Sequence, residues 1–482
     1  MPSIGQGRTR AGHIRIAPSP HEFFKDGANM TQPSHPNDTM HIDREGTAGE
    51  EASSLLDTAQ GFDPVAYIND PDWHASSLGL QRIAELLERL GNPQDALRFV
   101  HVAGTNGKGS TCAFTTSILK QAGYRVGMFT SPYVVEFSER IQVDGCNISP
   151  EQLLEVTLQV REQAEAMDDH PTEFELMTAV ALLHFAQQGC DIVVLEVGLG
   201  GRLDSTNIIQ SPEVCVICPI TFDHTDILGD TLQAIATEKA GIIKAGATVV
   251  VGVQPPEAME VVRARAAEEG CRVACVKKWS ISGTPRDFSY KEVEHVSLKL
   301  LGSYQVQNAA TACEVAWALR ERGFAIDSGA IERGLALTTW PARFELAHRN
   351  PDIIVDGGHN AQGARALVSS LDLNYPGVKP VFVMGVLADK DYPAMIATVL
   401  PVAQAFVCIE PPVPRRLPAP DLVHAILERR EQAGLRSVGV RAATSALEAV
   451  QAATMLAGPD GLVCAFGSLY SVADIYGAIK QL

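Results

Sequence analysis

An apolar run, Arg98-Phe99-Val100-His101-Val102-Ala103, ends in the turn Gly104-Thr105-Asn106-Gly107-Lys108-Gly109 and passes into a helical pattern from Ser110 to about Gln121. A strand that hands over to a helix through glycines can wrap backbone N–H groups around an anion. The helix N-terminus adds positive potential there. Lys108 is placed to reach outer phosphates, and Ser110 or Thr111 to approach a magnesium ion. The spacing is shorter than the usual phosphate-loop rule, because only Thr105 and Asn106 separate Gly104 from Gly107-Lys108. Nucleoside triphosphate binding through an unusual loop is the expectation. The plain alternative is a glycine turn carrying a surface lysine.

The alternation around this loop sets the fold class. From 61 to 340, apolar runs at 98–104, 125–130, 191–198, 213–220, 247–253 and 272–276 alternate with helical periods. The helical periods fall at 79–90, 109–122, 150–167, 174–188, 231–243, 256–268, 306–322 and 328–336. Such alternation predicts a mostly parallel sheet covered by helices on both faces. The stretch 279–302 reads as an antiparallel insertion. Trp340-Pro341 breaks the pattern, and a second alternation runs from 352 to 480. The chain is therefore expected to be α/β, with an N-terminal P-loop ATPase domain over 61–342 and a smaller Rossmann-like α/β domain over 343–482. Ligands of such sheets sit at the carboxyl ends of strands, so a cleft between the two is the expected site.

Composition narrows the partners. The 482 residues carry a formal net charge of −18, which argues against nucleic acid. No apolar run approaches the roughly eighteen residues of a membrane span. The N-terminus lacks an apolar signal core, and a reducing, cytoplasmic setting is expected. Cys215 and Cys218 form a C-x-x-C inside an apolar run, read as core thiols rather than half a zinc site. Residues 1–60 are rich in Pro, Gly, Ser, Thr and His without a sustained period, and are expected to be a disordered or loosely attached extension. Its scattered His13, His21, His35 and His41 do not make a convincing metal set.

Four more segments follow apolar runs. EVGLGGRLDSTN (196–207) puts Glu196 at a strand end, with Arg202 and Asp204 on a glycine loop. A carboxylate beside a phosphate loop is what magnesium requires; a buried glutamate paired with Arg202 is the structural alternative. ITFDHTDILGDTL (220–232) sets His224 between Asp223 and Asp226, suited to ligating a metal or to a structural role. DGGHNAQGA (356–364) points Asp356, His359 and Asn360 toward the cleft, and GVLADKDY (385–392) does the same with Asp389 and Lys390. In TEKAGIIKAG (237–246), Glu238-Lys239 taken alone reads as a surface ion pair.

Taken in order, GTNGKGST, TSP (130–132), ER (139–140), EVGLGGRLDSTN, DHTDILG, EKAGI, QNAATA (307–312), PARFE (341–345), DGGHN and GVLADKD resemble the folylpolyglutamate synthase/dihydrofolate synthase family of the Mur ligase superfamily. The resemblance spans residues 75 to 470. It implies that Thr105, Asn106, Gly107, Lys108, Gly109 and Ser110 hold the triphosphate, with Asn308, Arg343 and Asp356 also contacting ATP. It implies Ser131, Glu196 and His224 as magnesium ligands and an N-carboxylated Lys239, whose new carboxylate suits a second magnesium. Thr172-Glu173-Phe174-Glu175 and Leu203-Asp204-Ser205 match segments contacting the pterin substrate, as does Ser77-Leu78 less closely. Lys108, Lys239 and His224 form the implied catalytic set.

The implied activity is ATP-dependent addition of L-glutamate to dihydropteroate, to folate polyglutamates, or to both, through an acyl phosphate. ATP, two magnesium ions and a monovalent cation are the implied small partners of a monomer. A monofunctional relative and a UDP-muramyl amino-acid ligase are the alternatives. The latter usually carries a UDP-binding domain before the phosphate loop, for which this chain has little room. A non-catalytic ATP-binding protein would not need intact Lys108, Ser131, Glu196, His224 and Lys239.

Overall fold

The computed structural model describes residues 61–70, Trp73 and 79–482. The N-terminal extension with its four histidines, and Ser77-Leu78, lie outside the described residues.

The first lobe is built on an eight-stranded sheet. Its strands are β1 (Phe99–Ala103), β2 (Val126–Phe129), β3 (Ile141–Val143), β4 (Cys146–Asn147), β5 (Ile192–Glu196), β6 (Val214–Ile217), β7 (Thr248–Val251) and β8 (Arg272–Cys275). They lie in the order β4-β3-β2-β5-β1-β6-β7-β8. All pairings are parallel except β2–β3 and β3–β4. The central strands β1, β5 and β6 are buried throughout, because helices cover both faces of a parallel sheet. On one face Val100, Val102, Val194 and Val216 pack with residues of helices Lys108–Gln121 and Gln305–Glu321. On the other, Phe99, Val193 and Leu195 pack with helix Glu173–Gln187. β1 lies between β5 and β6, so the loop leaving β1 sits beside the loops leaving both neighbours.

Within 279–302 three short antiparallel strands, β9 (Ile281–Thr284), β10 (Asp287–Tyr290) and β11 (Val293–Val296), form the expected insertion. The second lobe has six strands: β12 (Glu345–His348), β13 (Asp352–Val355), β14 (Val381–Met384), β15 (Ala405–Cys408), β16 (Gly439–Ala442) and β17 (Leu462–Phe466). They lie in the order β12-β13-β17-β14-β15-β16, parallel except for β12.

Four strands escaped the pattern: β3, β4, β12 and β16. Each lies at or next to a sheet edge and is only two to four residues long. β4 is exposed and β16 mostly so. Without a buried face, such strands lack the apolar run that reveals the others. Cys215 and Cys218 are buried, the first donating to Ile242 O and the second to Thr111 Oγ1.

Candidate active site

The phosphate loop is fixed from beneath by the neighbouring strand end. The amides of Thr105 and Asn106 both donate to Pro219 O, at 3.0 and 3.3 Å. Thr105 Oγ1 donates to Thr221 O and accepts from Thr221 N, each at 3.1 Å. Gly107 has φ +87°, and a Cβ there would stand 2.5 Å from Asn308 Oδ1. Only glycine satisfies both the left-handed backbone and that approach. Gly109 is covered by Trp340, whose indole Nε1 would lie 3.1 Å from an added Cβ. That indole N–H is enclosed and without a partner among the described residues.

Helix Lys108–Gln121 starts at the loop with no side-chain cap, which leaves its first N–H groups free for a ligand. Ser110 is buried and accepts from Gln305 Nε2 at 3.2 Å; Asn308, one turn further along, donates to Gln305 Oε1 at 2.9 Å. The i, i+3 spacing of Gln305 and Asn308 puts both on one face of their helix. That was the available signal for Gln305, which the sequence reading missed.

Glu196, at the end of β5, is 4% exposed. Its Oε1 is 3.7 Å from Lys108 Nζ, and its Oε2 accepts the Ser131 amide at 3.3 Å. Burial pushes its carboxyl upward and Lys108 pulls against that. The alternative of a Glu196–Arg202 pair is therefore incorrect. Arg202 turns outward and pairs with Glu238 at 2.9 Å. Lys239 is also not part of a surface pair. It is 5% exposed, and burial, reinforced by Lys108, brings its pKa down to about 7. Adjacent residues on a helix face about 100° apart, so Glu238 reaches solvent while Lys239 points inward.

His224 stands at φ +50°, half-exposed, with Nε2 3.9 Å from Asp223 Oδ1. Burial lowers its pKa against the opposing pull of Asp223, so the ring is neutral at pH 7 and has a nitrogen lone pair to give. Among the described residues no three His, Cys, Asp or Glu side chains gather into a metal cage. Glu196 and Ser131 line the cleft together and are oxygen donors of the kind that suit a magnesium ion taking its remaining ligands from phosphate and water, whereas His224 is not among the lining residues. The buried Glu196 carboxylate, paired only loosely with Lys108, has acceptor capacity to spare.

The second lobe meets this loop with its own strand ends. Asp356, following β13, is buried and accepts from Tyr304 Oη (3.0 Å), Phe344 N (2.9 Å) and Gly358 N (2.8 Å). Burial raises its pKa and Arg343 opposes that. Asn360 caps helix Ala361–Asn374 through Gly363 N, and its Nδ2 lies 3.3 Å from Asn106 Oδ1 and 3.4 Å from Asp223 Oδ2. Asn106 Nδ2 and Thr221 Oγ1 both donate to Gln362 Oε1. Lys390 donates to Asp223 at 2.8 Å. Burial alone would push Asp223 up; Lys390 overrides it and holds the carboxyl at about 2.

Between the lobes lies a cavity of about 590 Å³. Its walls include Thr105 to Ser110, Ser131, Glu196, Asn308, Arg343 and Asp356. A larger hollow of about 830 Å³ lies in the second lobe, lined by Glu410, Thr444, Ser445, Asp474 and several alanines. None of the motif residues reaches it, so the cleft is the candidate site.

The segments 172–175 and 198–205 meet one another. A Cβ on Gly198 would stand 2.4 Å from Phe174 Cζ, so Phe174 packs on the loop that carries Leu203, Asp204 and Ser205. Asp204 is buried and accepts from Leu199 N and from Thr206. Thr172 and Glu175 form a capping box at the start of helix Glu173–Gln187, and Glu175 also takes Arg82 at 3.0 Å. Those two side chains are committed to the fold, and Phe174 packs against Phe129 with ring centroids 6.0 Å apart.

Residues 102–316 match the Mur ligase middle domain, and 342–469 match the Mur ligase glutamate ligase domain. The chain is 40% identical over 363 residues to the dihydrofolate synthase/folylpolyglutamate synthase of Bacillus subtilis, an alignment covering 72% of this chain and 84% of that one. This chain belongs to the folylpolyglutamate synthase/dihydrofolate synthase family. Family structures superpose closely. Escherichia coli FolC in complex with DHPP and ADP gives a TM-score of 0.76 at 31% identity, covering 89% of this chain and 98% of that one. The bifunctional Yersinia pestis synthase complexed with AMPPNP and a manganese ion gives 0.75 at 30% identity, covering 87% and 98%.

Proposed function

We propose that this chain, an ATP-dependent glutamate ligase of folate metabolism, acts both on dihydropteroate and on glutamylated reduced folates. The observation that supports the ligase chemistry is the convergence on one cleft of a phosphate loop, a buried carboxylate at Glu196 and the strand ends of the second lobe. In this assignment residues 61–342 carry ATP and 343–482 carry the glutamate-ligase part.

A free carboxylate resists attack by an amine because oxide is a poor leaving group. Transfer of the γ-phosphoryl group of ATP to a carboxylate oxygen gives an acyl phosphate and ADP. The α-amino group of glutamate then adds to the acyl carbon, loses a proton and expels phosphate, leaving the amide. The first step is mainly positioning and charge neutralisation. Lys108 and the free amides at the start of its helix take the triphosphate, with Asn308, Arg343 and Asp356 on the nucleotide. Glu196, Ser131 and His224 would hold magnesium, which supplies positive charge against the phosphate oxygens. Leu203, Asp204, Ser205, Glu173 and Phe174 form the pterin side.

Lys239 is suited to carboxylation. An amine of pKa about 7 is half neutral at pH 7, and the neutral amine adds to carbon dioxide, releasing one proton to give a carbamate. Cytoplasmic location, a monomeric state, a second magnesium and a monovalent cation remain part of the same assignment.

Phosphate release measured with ATP, magnesium and L-glutamate tests the proposal. Release is expected with dihydropteroate and with tetrahydrofolate and not with a UDP-muramyl peptide. Release with only one folate substrate would reduce the assignment to a monofunctional enzyme. Release with the muramyl substrate alone would overturn it.

A further inference from the structure

The Glu139-Arg140 pair contains one residue with an evident task and one without. Glu139 accepts the amides of Val134 at 2.8 Å and Val135 at 3.2 Å, which folds the turn after Ser131-Pro132. Arg140 is 8% exposed. Its guanidinium makes neither hydrogen bond nor ion pair with the described residues, and Nε is fully enclosed without a partner. The two terminal nitrogens are not fully enclosed, so they are the ones an incoming group can reach. The rings of Tyr133 and Phe137 lie against the guanidinium, at 4.9 and 5.6 Å from their centroids. Such contacts compensate a buried cation only in part. An enclosed charge without an anion is an unfavourable arrangement for a fold to keep.

The surroundings say what the anion is. Burial disfavours the charge of Arg140, and the groups that oppose this are Glu173 first, then Tyr133, Tyr470 and Glu196. Glu173 belongs to the pterin-side segment, Glu196 to the reacting end, and Tyr470 to the second lobe. Tyr470 follows Leu469, which lines the cleft with Ser131 and Pro132. Arg140 O accepts the Thr130 amide at 3.0 Å, which sets the residue beside the Ser131-Pro132 turn that lines the cleft. Two nearby lysines already face carboxylates: Lys108 stands at Glu196 and Lys390 donates to Asp223. An anionic group entering a cleft lined by Glu196 and Asp356 is favoured by a cation that is not already paired.

We propose that Arg140 is a substrate-binding residue that receives a free carboxylate of a glutamyl group on its terminal N–H donors. Planar guanidinium and planar carboxylate match through two parallel hydrogen bonds. The carboxylate belongs to the incoming glutamate or to the tail of an already glutamylated folate, the chemistry being the same. The inference rests on the glutamate ligation proposed above.

The test compares Arg140→Met and Arg140→Lys with the unaltered chain by phosphate release, using dihydropteroate and a glutamylated tetrahydrofolate as acceptors. L-glutamate, its α-amide and its γ-amide serve as amino donors. R140M is expected to raise the KM for glutamate by roughly 10- to 100-fold. Discrimination against one of the two amides should fall by the same factor, while the KM for ATP stays within about twofold. R140K, which keeps charge without the fork, falls between and provides the reading if R140M does not fold. A glutamate effect with both acceptors assigns the carboxylate to the incoming amino acid. An effect on KM for the glutamylated acceptor alone assigns it to the tail. Unchanged amide discrimination together with an unchanged KM for the glutamylated acceptor, in a folded variant, overturns the inference while leaving the ligase assignment intact. Absence of glutamate-dependent release from the unaltered chain overturns both.

Discussion

Two neighbouring parts of the site are built differently. The phosphate end is held mostly by the first lobe, with Asn106 also tied to Gln362 of the second: Pro219 O holds the loop, Gln305 holds Ser110, and Glu196 is buried beside Lys108. The other part, joined to Asn106 through Asn360, has His224 half-exposed, and its neighbour Asp223 takes its tightest partner, Lys390, from the second lobe. The first is held largely within one lobe, and the other depends more on the lobes meeting. Charge lost at the first should remove chemistry without disturbing structure. Charge lost at the second should disturb the meeting itself.

Removing the phosphate-end charges is expected to have the largest effect. Lys108→Ala and Glu196→Ala should each lower kcat by about 10²–10³ or more, by analogy with other preorganised charges. Neither should unfold the chain, which thermal unfolding beside the activity assay would show. Near-normal turnover in either variant would erase the contrast between the two parts.

Lys239 comes next and separates activity from stability. Its folded pKa of about 7 lies below the unfolded value near 10.4. Between those values the unfolded chain binds more protons, so the unmodified folded chain gains stability as pH rises from about 7 toward 10. Below pH 7 the burial penalty is fully present. Lys239→Met should therefore be far less active yet unfold at a higher temperature at pH 7 in carbon-dioxide-free buffer, with the gain shrinking as pH rises. Equal melting temperatures across that range would contradict the burial described here.

The bridge between lobes gives the smallest effect. Asp223→Asn and Lys390→Met should each reduce kcat/KM by about tenfold, of the order expected for a partly buried pair. The double variant should be little worse than either alone, since both remove one interaction. Strict additivity would show that the two side chains act independently.

Much of this architecture is legible in the residues themselves. The buried strands carry continuous apolar runs, and the glycines at 104 and 107 mark a turn that their backbone angles, φ +153° and +87°, require. Local patterns end where distance in sequence begins. Asp223 and Lys390 are 167 positions apart, and Asn106 and Gln362 are 256 apart. No period connects such residues, and only the packing of two sheets brings them together. The burial of Lys239 is not legible in its own segment for a related reason. Glu-Lys on a helix looks like a solvated pair, and what buries the lysine is the close approach of Gly201, where an added Cβ would meet its Cα at 3.1 Å. Arg140 was visible only as half of a motif, because an unpaired cation is a property of its surroundings.

Trp340 stands in the segment that links the lobes and lies on Gly109 at the mouth of the phosphate loop. A rotation of one lobe against the other would shift that indole against the loop and change the polarity around it. Indole emission follows such polarity, so the chain carries a native optical gauge at the point where nucleotide capture and lobe movement are mechanically joined.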